Sequence, residues 1–138
     1  MVRQKYWGNV VEELLRAIAL KAQLDPDRRA MGSETESITY GDLLFKTRCL
    51  ATALITEFSE GTVALSSLIG IERLIAELGC LWAGRTFVPL TYSEDKNQEV
   101  ARRCAVNLTI GSPIPGWSNY SLDELLTNPP LMEPAHRD

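Results

Sequence analysis

The strongest nucleophiles and soft metal ligands in this sequence are three cysteines, Cys49, Cys80 and Cys104, and a single histidine, His136. The cysteines are far apart and lack the two-residue spacing of a zinc site or redox dithiol. Their odd count fits reduced thiols in a cytosolic protein better than a disulfide framework. Cys49 and Cys80 fall within helical patterns, where a free cysteine acts as a small buried hydrophobe. Cys104 follows Arg102 and Arg103, which would lower a thiol pKa, but a solvated helix end accounts for both arginines. His136 lies in a polar, proline-flanked tail, so a Cys–His or Ser–His pair would require that tail to fold back over the domain.

Phosphate and metal chemistry are equally thin. The one glycine-rich candidate, GSPIPG (111–116), spends two positions on proline, which has no N–H to offer a phosphate, and no lysine follows it. It reads as a turn. SEDKNQE (93–99) has carboxylates but neither the spacing nor the glycine of a calcium loop, and reads as a solvated helix start. Trp7, Trp82 and Trp117 are too scattered for a stacking platform, and Trp82 sits on an apolar helix as core. The sequence therefore assigns no catalytic, cofactor-binding or metal-binding residue, and no cofactor.

The elements that would position such groups are clear by contrast. A chain of 138 residues fits one domain, and 45% hydrophobic with 23% charged residues is a globular composition. A net charge of −4 disfavours nucleic acid as a partner. Glu12 and Glu13 interrupt any signal-peptide core, and no apolar run approaches membrane-spanning length, so a cytoplasmic protein is expected. Asn9 and Glu12 form a candidate capping box for a first helix carrying Val11, Leu14, Leu15, Ile18 and Ala22, ended near Leu24 by Asp25-Pro26. A hairpin around the polar turn 32–36 closes at Tyr40. A second helix starts near Asp42 and buries Leu43, Leu50, Ala51, Leu54 and Phe58.

Residues 62–68 then read as a buried strand, 71–83 as a mostly buried helix stopped by Gly84, and 86–90 as a strand. Gly79, inside that helix, implies a close backbone approach. Ser93 caps a helix to Ala105, 106–110 is a third strand, and Ser121 with Glu124 frames a last short helix. The alternation predicts an α/β fold: a small, mostly parallel sheet with helices on its faces, plus an N-terminal β-hairpin. The domain is expected over 1–128, with a polar C-terminal tail over 129–138 opened by Pro129-Pro130.

Two motifs in this order resemble a known family. ITYGDL (38–43) resembles the L-T/S-Y-x-E-L segment that opens the adenylation domains of nonribosomal peptide synthetases. LGCLWAGRTFVPL (78–90) resembles their second core motif, L-K-A-G-x-A-Y-V-P-L-D, and the similarity covers roughly residues 9 to 126. These domains belong to the adenylate-forming, or AMP-binding, superfamily. The family's continuation P-L-D-P-x-x-P-x-x-R is altered here to PLTYSEDKNQEVAR, with Thr91 in place of the aspartate. The family's Ser/Thr/Gly-rich phosphate loop and its catalytic lysine have no counterpart in these residues.

By resemblance the sequence is the N-terminal part of an adenylation domain, truncated before the phosphate loop. That implies a non-catalytic structural or interaction module of a peptide or polyketide assembly line in secondary metabolism. The alternative is the N-terminal half of a split or excised adenylating enzyme. A homodimer or an assembly-line protein is the expected partner, covering apolar surface and strand edges; nucleic acid and membrane are not.

Overall fold

The computed structural model describes residues 2–58 and 61–135, with side chains from Val10 onward. Helix α1 (Val2–Leu24) buries Leu15 and Ala22, with Val11, Ile18 and Ala19 packed on the same core. It begins earlier than the expected capping box. Asn9 lies inside the helix, because the residues before it contain no proline and carry the helix through Gly8. The end at Leu24 is where the Asp25-Pro26 pair requires it, and the Asp25 N–H donates to the Lys21 carbonyl at 2.9 Å.

Strands β1 (Arg29–Gly32) and β2 (Ser37–Thr39) form the expected antiparallel hairpin. Its turn is closed by the Ser33 N–H on the Glu36 carbonyl at 2.7 Å, and Ser33 Oγ accepts from the Thr35 and Glu36 N–H groups. Helix α2 (Tyr40–Thr56) follows without a break. Its cap is Thr39, three residues before the expected start at Asp42: Thr39 Oγ1 accepts the Asp42 N–H at 3.2 Å, while Asp42 puts its charge on the first turn.

The remaining elements are β3 (Thr62–Ser66), α3 (Gly70–Trp82), β4 (Thr86–Leu90), α4 (Glu94–Arg103), β5 (Val106–Gly111), β6 (Ser118–Tyr120) and α5 (Leu122–Leu125). Four strands form one parallel sheet in the order β4-β3-β5-β6. The three expected parallel strands share it. β6 is an addition: Ser118 and Asn119 have little strand propensity of their own, and the segment pairs to Leu108–Ile110. β3 stops at Ser66 and not at Leu68, because Ser67 takes φ 58°, outside the extended region. The chain steps from β3 to β4 in one direction and from β4 back past β3 to β5 in the other. Right-handed crossovers then place α3 and α4 on opposite faces.

Alternation along β3 divides the core accordingly. Val63 and Leu65 join the larger cluster with Leu50, Leu54, Ile75, Leu78 and Trp82 from α2 and α3. Ala64 points the other way, to Leu90, Ala101, Val106 and Ile114. Gly79 has the close neighbour its position implies: a Cβ there would lie 2.4 Å from Leu50 Cδ2. Gly84, at φ +70°, supplies the left-handed stop after α3. Arg85 then turns back and donates from Nη2 to the carbonyls of Leu54 and Phe58, at 3.2 and 3.4 Å, tying β4's entry to the end of α2. Among the described residues no helix is long and apolar enough to cross a membrane.

Candidate functional site

In an open parallel sheet, ligands bind outside the carboxyl ends of the strands, where successive connections diverge to opposite faces. Here that point is the end of β3, and two hollows of about 310 and 290 Å³ meet at Ser66 and Ser67. The first also involves Glu94 and Asn97 at the start of α4 and Ser112 after β5; the second involves Glu72 of α3 and Ser121 and Asp123 at α5. The loops are fixed by backbone bonds, with the Ser67 N–H on the Leu90 carbonyl at 3.1 Å and the Ser112 N–H on the Ser66 carbonyl at 3.0 Å. Gly111 permits the second bond. It sits at φ +116°, and a Cβ would lie 2.1 Å from the Ser66 oxygen.

Asn97 and Asn119 set the floor. Asn97 is buried and clamps Tyr92 through both backbone groups, at 3.0 and 3.1 Å. Asn119 accepts from the Ile114 N–H and the Thr109 hydroxyl and donates to the carbonyls of Ile114 and Trp117. The GSPIPG segment is thereby held as the turn the sequence implied. What remains free at the mouth is hydroxyl and carboxylate: Ser67 and Ser112 with Glu72, Glu94 and Asp123. No lysine or arginine is among the described residues lining either hollow. Such a set favours an N–H donor or a cation over a phosphate.

A larger cleft of about 510 Å³ lies between α1, α2 and residues 132–134. Arg48, half-buried, lines it, with its guanidinium 5.2 Å over the Trp82 ring and its Nε enclosed without a hydrogen-bond partner. Burial lowers the Arg48 pKa, and the nearby Glu133 charge partly opposes that. Residues 131–135 are fastened over this region by three bonds: Leu131 N–H to the Arg48 carbonyl at 3.0 Å, Trp82 Nε1 to the Leu131 carbonyl at 2.8 Å, and Ala135 N–H to the Trp82 carbonyl at 2.8 Å.

No protein-family model matches the chain, and no curated protein matches it in sequence. Solved structures do match. The fatty acid AMP ligase from Legionella pneumophila superposes with a TM-score of 0.71 at 21% identity, over 80% of this chain and 23% of the ligase. An artificially fused adenylation–PCP di-domain peptide synthetase from Klebsiella oxytoca, NpsA-ThdA, gives 0.71 at 22% identity over 93% of this chain and 25% of its own. The Klebsiella oxytoca NpsA N-terminal subdomain gives 0.68 at 24% identity, over 86% of this chain. The fold is that of the N-terminal subdomain of adenylate-forming enzymes. The chain spans 23% and 25% of the ligase and the di-domain, and 35% of the isolated subdomain.

Within this subdomain fold the two motifs that carry the resemblance occupy structural joints. ITYGDL is the β2–α2 junction with its Thr39 cap, and LGCLWAGRTFVPL is the α3–β4 joint held by Gly79, Gly84 and Arg85. Trp82 is core, 2% exposed. Cys49 and Cys80 are buried in α2 and α3, and burial pushes the Cys49 thiol up. Cys104 is half-buried at the end of α4, where Arg103 pairs with Glu99 at 2.8 Å. Trp117 donates its Nε1 to the Val106 carbonyl at 3.1 Å. His136 and the side chain of Trp7 lie outside the described residues. None of the cysteines and tryptophans described comes to the mouth of the sheet.

Sequence reading missed Ser66, Ser67, Ser112 and Arg48. The serines become neighbours only once the strand order is known, which one sequence does not disclose. Arg48 did leave a signal, a cation among Leu44, Thr47 and Ala51 on the buried side of α2.

Proposed function

We propose that this polypeptide is a non-catalytic structural or protein-interaction module, built on the N-terminal subdomain fold of adenylate-forming enzymes and working beside peptide or polyketide synthase components in secondary metabolism. The observation that carries the reading is the mouth of the sheet. Activating an acid with ATP needs donors and cations around the phosphates and at the departing pyrophosphate. At this mouth stand Glu72, Glu94 and Asp123, three carboxylates whose field opposes a polyphosphate. Residues 1–128 form the module in this reading, and residues 129–138 are a C-terminal segment whose described part straps α2 to α3. The assembly-line setting follows from the NpsA likeness by analogy of fold. The test is amino-acid- and aryl-acid-dependent ATP–pyrophosphate exchange by the purified chain, with no turnover expected; turnover above a heat-denatured control refutes the reading.

A second reading has its own support. Because the chain spans about a quarter of the ligase and the di-domain, it also fits one half of a split or excised adenylating enzyme. Co-expression with a polypeptide carrying the phosphate loop and the remaining subdomains separates the two: exchange that returns only in the mixture supports the second reading.

A further inference from the structure

Helix α1 has two apolar faces, and the core uses one of them. Leu15, Ile18, Ala19 and Ala22 pack inward. On the opposite side Val10, Leu14, Leu20 and Leu24 are 38%, 47%, 55% and 73% exposed. At 100° per residue these four, with Glu13, Ala17 and Lys21, are all the residues from 10 to 24 within about 60° of the direction of Ala17. An ordinary surface helix puts charge on this side. Here five of the seven positions are apolar and the two charges are opposite.

The order of those residues names the occupant. Two copies of α1 packed antiparallel about a two-fold axis through Ala17 place residues whose numbers are equidistant from 17 against each other. Val10 then meets Leu24 of the second copy, Leu14 meets Leu20, and Glu13 meets Lys21, each pairing occurring twice. The small Ala17 falls where the helices cross and lets them approach. Parallel packing in register would instead set Glu13 against Glu13 and Lys21 against Lys21. We infer that the outer face of α1 is a homotypic docking surface, and that two copies of this chain associate through antiparallel α1 helices about Ala17.

The inference deepens the interaction-module reading by naming a partner and a surface. A helix pair of this length covers less than the roughly 1,200–2,000 Å² of a standard stable interface, so the dimer is weak and concentration-dependent. Sedimentation equilibrium of the full chain is the test, with thermal melts confirming that each variant folds. Leu14→Glu is expected to weaken dimerisation at least about tenfold by placing a carboxylate in the seam. Glu13→Lys and Lys21→Glu, each breaking two ion pairs, should each weaken it by about three- to tenfold, and the doubly exchanged variant should recover to within about twofold of the parent. Glu99→Lys, on α4, alters net charge as Glu13→Lys does and should leave the dimer unchanged.

A parent chain that stays monomeric, a dimer indifferent to Leu14→Glu, or a double exchange no better than its singles overturns the inference. So does capture of a different protein on this face by a monomeric chain. Each of these outcomes leaves the exchange assay, and the reading it tests, undisturbed.

Discussion

On the face of the sheet covered by α2 and α3, Val63 and Leu65 meet Leu50, Leu54 and Ile75 so closely that Gly79 is the residue that fits against Leu50. One residue further along the same strand, Ser66 and Ser67 open into hollows lined with hydroxyls and carboxylates, and Ser67 holds a left-handed backbone without being glycine. The first region is packed to the density of a protein interior, where small changes of volume are felt. The second is positioned by backbone bonds and has side chains that oppose phosphate. One strand thus runs from a tightly packed interior into a mouth of hydroxyls and carboxylates.

The largest expected contrast comes from Leu50→Ala, which should destabilise the chain by about 2–5 kcal/mol in urea melts. Gly79→Ala should cost about 1–3 kcal/mol on its own through overpacking. In the Leu50→Ala background most of that cost should vanish, since the clashing side chain is gone; an additive double mutant would show that Leu50 is not what fixes Gly79. Next in size, Arg85→Met should cost about 1.5–3 kcal/mol by leaving the carbonyls of Leu54, in α2, and Phe58, just after it, without their charged donor.

Changes at the mouth should be smaller and of mixed sign. Ser67→Gly relieves a left-handed backbone and should be neutral to stabilising by about 0.5 kcal/mol, the gain being offset by a freer unfolded chain. Glu72→Ala and Asp123→Ala should stay within about 0.5 kcal/mol, read as shifts in thermal midpoint. A destabilisation at either position comparable to Arg85→Met would make the mouth part of the structural frame and erase the contrast.

A last effect appears only in alkali. Burial holds the Cys49 thiol protonated above its usual range, so the unfolded chain loses that proton first as pH rises. Stability from this group is complete below the unfolded thiol's pKa and falls as pH passes it. Comparing urea midpoints at about pH 8 and about pH 10, Cys49→Ala should show a shallower decline than the parent.

How much of this was legible follows the physics of each feature. The Asp25-Pro26 stop, the Ser93 cap, the Ser121–Glu124 capping box and Gly84 are local signals, and the helix end each one marks is where the sequence puts it, whereas α4 ends at Arg103 and not at Ala105, which takes φ 52°. Both capping-box bonds of α5 are present, at 3.2 Å. The Asn9–Glu12 pair does not mark the start of α1 because it lies inside a longer helix, and α2 starts ahead of Asp42 because Thr39, the last residue of a strand, also caps the helix. β6 was hidden because Ser118, Asn119 and Tyr120 become a strand only beside β5. The mouth was hidden for the same reason, being assembled from residues near 66, 94, 112 and 122 by a strand order that local patterns do not encode.

The most direct test of the central claim is a calorimetric titration of the folded chain with MgATP at low ionic strength, where a carboxylate-lined mouth repels polyphosphate most strongly. The account predicts no saturable heat up to millimolar nucleotide. A saturable isotherm that Ser67→Asp or Ser112→Asp abolishes would place a nucleotide at the end of β3 and contradict it.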